Sequence, residues 1–139
     1  MSVKRASSAT PVETDLDGVK KVAVVQIMGS RHWGRANPIH FDPVTAAEHG
    51  FKAPIQTGMM SAAYLAETCV NFFGPDFFRN ATMEGKFVKP VYAGEVITTR
   101  GVVKGKVPEG DGCRLTVELW AENEDGEVKT VATVTAHVE

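Results

Sequence analysis

The sequence predicts an α+β fold in which an antiparallel sheet wraps around one long central helix. Residues 59 to about 73 are apolar on nearly every side of a helical projection and end at Gly74-Pro75, which is typical of a helix enclosed by other elements. Four segments rich in Val, Thr and aromatic residues follow, at 82–88, 96–104, 114–121 and 128–138. Turn residues separate them, so the four segments are expected to form the sheet that encloses the helix.

The other elements follow from local signals. Residues 22–28, Val-Ala-Val-Val-Gln-Ile-Met, form a short run rich in branched apolar side chains and predict one more strand. Residues 31–43 contain proline, glycine and asparagine and predict a loop. A short helix is expected at 44–49, with Asp42 as its N-cap and Pro43 at its first position. The turn at 123–126, Asn-Glu-Asp-Gly, joins the last two strands in a hairpin.

Length and charge limit the function classes. A chain of 139 residues predicts one domain at 18–139, preceded by a flexible, small and polar N-terminal arm at 1–17. A formal net charge of -2 gives no basic surface for nucleic acid or for an anionic membrane. No apolar stretch approaches the roughly 20 residues of a membrane span, and the two cysteines match no metal-ligand spacing. We expect a cytoplasmic protein whose partner is a small molecule or another protein.

Three segments in a fixed order carry a family resemblance. They are Ala-Asn-Pro-Ile-His-Phe-Asp-Pro at 36–43, Pro-Ile-Gln-Thr-Gly-Met at 54–59 and Phe-Val-Lys-Pro-Val-Tyr-Ala-Gly-Glu at 87–95. Together they resemble the signature stretches of MaoC-like proteins of the hydratase-2, (R)-specific enoyl-CoA hydratase type, from about Val22 to the C-terminus. The resemblance implies a hot-dog fold that dimerises. It also implies reversible hydration of trans-2-enoyl-CoA to (R)-3-hydroxyacyl-CoA, without a metal or an organic cofactor.

The resemblance also implies catalytic residues. The family's histidine matches His40, and the glycine whose N–H binds the thioester oxygen matches Gly58. An imidazole on a loop can relay a proton near neutral pH, and a free N–H at a helix N-terminus can stabilise an enolate. The family's catalytic Asp lies five residues before the histidine, where this chain has Arg35. A guanidinium stays protonated and cannot take a proton from water.

Four more residues are expected to line the substrate site. These are Trp33, Asn37, Gln56 and Thr57. Asn37 is also a candidate loop cap and Thr57 a candidate helix N-cap. Gln56 precedes Thr57-Gly58 in a stretch where the family commonly has a histidine before the glycine.

Three functions remain open at this point. The first is a hydratase or dehydratase acting on an acyl-CoA or acyl-carrier thioester, in which His40 acts as base and Arg35 orients a substrate group or binds a carboxylate on the acyl chain. The second is a non-catalytic subunit, where the chain pairs with a catalytic hot-dog partner as a heterodimer, not as a homodimer. The third is a thioesterase with Glu67 on the long helix as nucleophile or base. Against these stand plain structural roles: His40 bracing its loop through the backbone, and Glu67 lying at a dimer face or pairing with Asn71.

Overall fold

The structure, a computed structural model, describes residues 4–28 and 37–139. Within these residues, antiparallel strands form a five-stranded sheet in the order β1-β3-β4-β5-β2. The strands are β1 (Lys20–Val22), β2 (Thr82–Phe87), β3 (Val96–Glu109), β4 (Gly112–Glu122) and β5 (Val128–Val138). The helices are α1 (Val25–Met28), α2 (Pro43–Glu48), α3 (Gly58–Phe73) and α4 (Phe77–Asn80).

The long helix α3 packs on one face of the sheet, against β3, β4 and β5. Alternate residues of the strands meet it, so that Leu115 and Val117 of β4 are fully buried beside Leu65 and Cys69 of α3. Each such apolar side chain contributes roughly 1.5–3 kcal/mol by leaving water. The predicted central helix and enclosing sheet are confirmed. At 16 residues α3 is too short for a membrane span, and no other helix in the described ranges has the length and apolar composition to cross one.

The four predicted strands after α3 are all present, and β4 and β5 form the expected hairpin. Its turn is fixed by Asn123, whose side-chain oxygen accepts hydrogen bonds from the N–H groups of Asp125 and Glu127. Strand β3 extends to Glu109, beyond the predicted end at residue 104. A register shift between Val103 and Gly105 lets β3 continue along β4 through the Lys-Gly-Lys stretch that lacks strand character.

The expected strand at 22–28 is wrong. The strand β1 ends at Val22, and Val25–Met28 forms one turn of helix. The pairing continues only to Ala23, whose N–H donates to the carbonyl of Glu95 and whose carbonyl accepts from Gly94, because the partner segment turns at Gly94, where φ is 88°. The helical turn then brings Met28 into the core, with none of its surface exposed.

Residues 4–17, for which the sequence predicts a loose arm, make backbone hydrogen bonds to the rest of the fold. The Ala6 N–H donates to the carbonyl of Phe72, and the Ser8 N–H donates to that of Glu139. The Leu16 N–H donates to Gly101, and the Leu16 side chain joins the core with 7% of its surface exposed. The small, polar composition of the arm hides this attachment because main-chain groups make most of it.

Candidate active site at the start of α3

The loop that carries His40 is built from two successive caps. Asn37 caps a short 3₁₀ turn, Pro38–His40, by accepting a hydrogen bond from the Ile39 N–H at 3.3 Å. Asp42 caps α2 as predicted, accepting from the Thr45 hydroxyl at 2.6 Å and from the Val44 N–H at 3.1 Å. These hydrogen bonds, with Thr45 first, hold the pKa of Asp42 below its ordinary value. Asp42 is therefore an ionised cap of α2.

The half-buried imidazole of His40 is oriented by one hydrogen bond. Its Nδ1 lies 2.7 Å from the carbonyl oxygen of Ile55. A carbonyl can only accept, so Nδ1 carries the proton in this contact. In the neutral ring the lone pair then lies on Nε2, the form that accepts a proton. The contact therefore braces the loop and also prepares His40 as a base.

The segment before α3 is held from three directions. The Ile55 N–H donates to the carbonyl of Ile39 at 3.1 Å, which joins this segment to the His40 loop. The Gln56 N–H donates to the carbonyl of Val91 at 2.7 Å, which joins it to the segment before β3. The Thr57 N–H donates to the carbonyl of Met28 at 3.2 Å, at the end of α1. The carbonyl that orients His40 is thus fixed by its neighbours on both sides.

Among residues 4–28 and 37–139, the first backbone N–H of α3 has no hydrogen-bond acceptor. Thr57 is the N-cap, and its hydroxyl accepts from the Met60 N–H at 3.4 Å. Gly58 is the first helical residue, and an N–H at that position has no partner inside a helix. Ile55, whose carbonyl meets the His40 ring, lies three residues before Gly58, a span of at most about 11 Å of chain.

The ring of Phe87 on β2 packs against Gly58. A Cβ atom on Gly58 would lie 2.9 Å from Cζ of that ring. Phe87 also lines a mostly apolar cavity of about 250 Å³ between α3, β2 and β5. The other residues around this cavity are Ala62, Leu65, Met83, Gly85, Thr130, Val131 and Ala132. The helix N-terminus and the cavity therefore meet at one side chain, Phe87.

A larger open groove of about 540 Å³ contains none of the predicted site residues. It lies where β2, β5 and β4 adjoin and includes Glu84, Lys86, Glu118 and Trp120. We assign the candidate site to the smaller cavity because Phe87, which lines it, also packs against Gly58.

Gln56 directs its side chain into the protein. It is 5% exposed, its amide nitrogen donates to the Ser61 hydroxyl at 3.0 Å, and its amide oxygen accepts from the Tyr64 hydroxyl at 2.9 Å. Burial raises the pKa of Tyr64, so this phenol remains a neutral donor. The network ties the site loop to the first two turns of α3.

The remaining predicted residues lie apart from this cluster or beyond the described ranges. Glu67 pairs with Lys21 of β1 at 2.8 Å, not with Asn71. It lies nine residues along α3 from Gly58, or roughly 13 Å of helix. Arg35 and Trp33 lie outside the described residues. Within the described ranges no group of three or more His, Cys, Asp or Glu side chains is arranged to hold a metal ion.

Two contributors to the site escaped sequence analysis. Ile55 acts through its carbonyl oxygen, which leaves no side-chain signal. Phe87 lies in the third family-like segment, but its contact with Gly58 depends on how β2 is placed against α3. A glycine at the first position of a long helix was the available hint that another group approaches closely.

In the described part of the chain, a five-stranded antiparallel sheet packs on one long helix, which is the architecture of the hot-dog class of fold. Solved structures share it: the chain superimposes on the (R)-hydratase from A. caviae with a TM-score of 0.76 at 18% identity, covering 94% of this chain and 98% of that one. The ChsH1-ChsH2 complex from Mycobacterium tuberculosis gives a TM-score of 0.76 at 20% identity, covering 94% and 99%.

Sequence similarity identifies the family. Residues 11–138 match the MaoC like domain, and the chain belongs to this family. It is 32% identical over 109 residues to 3-hydroxyacyl-thioester dehydratase Y of Mycobacterium tuberculosis. That alignment covers 71% of this chain but only 36% of the relative, so the chain spans about a third of that protein's length.

Proposed function

We propose that the chain is a hydratase or dehydratase acting on an acyl thioester, an enoyl-CoA and 3-hydroxyacyl-CoA pair or its acyl-carrier equivalent. One observation carries the proposal: the Nδ1 contact of His40 with the Ile55 carbonyl leaves Nε2 as a proton acceptor, on a loop that is hydrogen-bonded to the segment leading into Gly58. Family membership and the similarity to a 3-hydroxyacyl-thioester dehydratase support the same reaction class.

In the hydration direction, His40 Nε2 takes a proton from water while the water oxygen bonds to C3 of the enoyl thioester. The electron pair of the C2=C3 bond shifts towards the thioester oxygen. The Gly58 N–H and the positive end of α3 stabilise the resulting enolate. The protonated His40 then gives this proton to C2, which completes the addition of water and regenerates the base, and dehydration is the reverse of these steps.

The other residues have supporting roles in this proposal. Thr57 and Asn37 shape the two loops that present Gly58 and His40. Gln56 ties the loop before Gly58 to α3 through its hydrogen bond to the Ser61 hydroxyl. The cavity beside Phe87 accommodates the start of the acyl chain. For Arg35 we propose a role in orienting a polar group of the substrate, and for Trp33 a place in the acyl pocket; both rest on sequence position.

Two substitutions of His40 test the proposal. His40→Ala removes the base and the brace together, whereas an asparagine in His40→Asn can still donate to the Ile55 carbonyl without supplying a base. We expect both variants to lose about 100-fold or more of kcat in an enoyl-CoA hydration assay. Recovery of near wild-type turnover in His40→Asn would show that His40 only braces the loop, and would contradict the proposal.

A second candidate function is a hot-dog subunit that pairs with a catalytic relative. The exposed edge of the sheet favours it: β2 is an edge strand, and Phe87 and Val88 at its end are 61% and 53% exposed. The ChsH1-ChsH2 structure shows that chains of this fold occur in complexes of two different subunits. Arg35 occupies the position of the family's catalytic Asp, so a partner chain would have to supply that carboxylate in its own site.

The two candidates separate in one assay series on enoyl-CoA substrates. Hydration by the purified wild-type protein that is lost in His40→Ala supports the enzyme. Absence of turnover that appears in Arg35→Asp, or on adding a catalytic MaoC-like chain, supports the subunit. The position of Glu67 does not favour a thioesterase, because its carboxylate forms a salt bridge with Lys21 and lies far along α3 from Gly58.

A further inference from the structure

A lysine ammonium lies buried beside the loop that supports the site. Lys129 of β5 has 3% of its side chain exposed. Its Nζ lies 3.1 Å from the carbonyl of Pro90, 3.2 Å from Glu95 Oε1 and 2.6 Å from Glu127 Oε1. Three acceptors therefore match the three hydrogens of the ammonium. Burial alone would lower the pKa of Lys129, but the hydrogen bonds to Glu127 and Glu95 outweigh it and raise the pKa.

Glu95 links this ammonium to the backbone of the loop. Its Oε1 also accepts from the Tyr92 N–H at 2.7 Å, and its Oε2 accepts from the Asn123 side chain at 2.7 Å. The carboxylate thus joins the turn between β4 and β5 to the segment 90–95. Lys129 closes the same connection through Pro90, so the two charges hold that segment at both ends.

The segment 90–95 pairs with residues 54–56, which include the Ile55 carbonyl that contacts His40. Tyr92 pairs with Ile55 in an antiparallel bridge. On either side, the Gln56 N–H donates to Val91 and the Ala93 N–H donates to Pro54, at 2.7 and 3.1 Å. The carbonyl of Ile55 then meets His40 Nδ1 at 2.7 Å. Every step from Lys129 to the imidazole is a hydrogen bond or a strand pairing.

We propose that the buried Lys129–Glu95 pair is a positioning element for His40, which fixes the orientation and tautomer of the imidazole through the Ile55 carbonyl. The inference rests on the proposed function, in which His40 is the base. A buried ion pair is a poor device for stability alone, since well-packed apolar side chains often serve as well. Directional hydrogen bonds to one loop are what a charged pair supplies and an apolar pair does not.

The test compares Glu95→Gln and Lys129→Met with the control Lys89→Met. Lys89 reaches Glu127 at 2.9 Å and is 52% exposed, but it bonds neither Pro90 nor Glu95 through its ammonium. The ¹⁵N resonances of the imidazole report the tautomer of His40 in each folded variant, assigned by their loss in His40→Ala. Steady-state hydration kinetics give kcat and KM separately, and thermal unfolding reports stability.

We expect wild type and Lys89→Met to show His40 with its proton on Nδ1. In Glu95→Gln and Lys129→Met we expect the mixture of tautomers of an untethered imidazole, and kcat lower by about 10- to 100-fold with KM changed much less, because small displacements of a catalytic group are costly. A single tautomer and unchanged kcat in Glu95→Gln would overturn the inference. If Lys129→Met does not fold, Glu95→Gln decides alone.

The NMR readout separates this inference from the proposed function. Wild type without turnover, combined with a tautomer change in Glu95→Gln, would refute the function and keep the positioning role. Turnover that depends on His40 but a tautomer that is indifferent to Glu95 would refute the positioning role alone. An equal loss of kcat in Lys89→Met would also refute it, because a general effect of surface charge would then explain the result.

Discussion

The two ends of α3 are finished in opposite ways. At the C-terminal end the carbonyl of Val70 accepts from the Gly74 N–H and from the Arg5 guanidinium at 3.3 Å, and the carbonyl of Phe72 accepts from the Ala6 N–H at 2.8 Å. At the N-terminal end the Thr57 hydroxyl supplies the cap, and the Gly58 N–H is left without a partner inside the helix. One end is closed by the chain itself, and the other is left open.

The buried C-terminal end of α3 contributes to stability, whereas the exposed N-terminal end is the one available for a ligand. Phe72 and Phe73 at the closed end are 2% and 3% exposed, whereas Met59 at the open end is 53% exposed. Gly74 has a φ of 62°, a left-handed conformation that suits glycine at the end of a helix, and a Cβ there would also meet the Arg5 guanidinium at 2.9 Å. The open end keeps the positive pole of the helix and an N–H for an anionic oxygen.

Truncation of a buried side chain at the C-terminal, closed end of α3 should cause the largest loss of stability. Phe72→Ala should lower the free energy of unfolding by about 3–5 kcal/mol, because it removes a fully buried ring from the core. The matched change at the open end, Met59→Ala, should stay within about 0.5 kcal/mol. Urea unfolding followed by circular dichroism measures both, and equal losses would contradict the contrast between the two ends.

Removal of the free donor tests the open end. Gly58→Pro deletes the N–H at a first helical position where proline is well tolerated, and Thr57 already has the extended conformation (φ -62°, ψ 143°) that precedes proline. We expect kcat to fall by about 10²- to 10³-fold, the usual cost of an oxyanion donor. Gly58→Ala carries the same clash with Phe87 but keeps the N–H, so kcat should fall less. Equal losses would assign the effect to Phe87.

Loss of the cap should have a smaller effect. Thr57→Ala removes the acceptor for the Met60 N–H and should cost about 1 kcal/mol of stability, within the range of about 0.5–2 kcal/mol for N-caps. Thr57→Ser keeps the hydroxyl and should recover most of this loss. Chemical unfolding of the three proteins checks the order, and a serine variant as weak as alanine would show that the Thr57 methyl group matters more than the cap.

The smallest expected effect belongs to Arg5. This exposed side chain donates to a helix C-terminal carbonyl, so Arg5→Ala should cost about 0.3–1 kcal/mol at low ionic strength. Added salt should narrow the difference from wild type, because charge interactions at the surface are screened. Thermal unfolding at two salt concentrations tests this. A loss that does not depend on salt would assign the effect to packing against Gly74.

The sequence predicted those elements whose signals are local. The apolar run to Phe73, with Gly74 after it, located α3 to within one residue at its start, and the Asn123 turn located the last hairpin. Predictions failed where distant partners decide the conformation. Residues 22–28 have the composition of a strand, but the partner segment turns at Gly94, so the pairing ends at Ala23, and Met28 turns inward.

The candidate site divides in the same way. His40, Asn37 and Thr57 could be singled out by type and spacing, and the described caps of Asn37 and Thr57 agree with the local roles predicted for them. The Ile55 carbonyl could not be found, because any residue supplies a carbonyl. Lys129 could not be found either, since a lysine in a strand normally faces water, and its acceptors at Pro90 and Glu95 lie more than thirty residues away in sequence.

The burial of the native cysteines determines how the protein can be labelled with a thiol-reactive probe. Its two cysteines are both buried, and burial raises the pKa of Cys69 to about 12, so its reactive thiolate is scarce at pH 8. A Met59→Cys substitution would place one accessible thiol at the open end without removal of either native cysteine. A fluorophore there would report ligand entry beside Gly58, against a background that stays silent while the fold is intact.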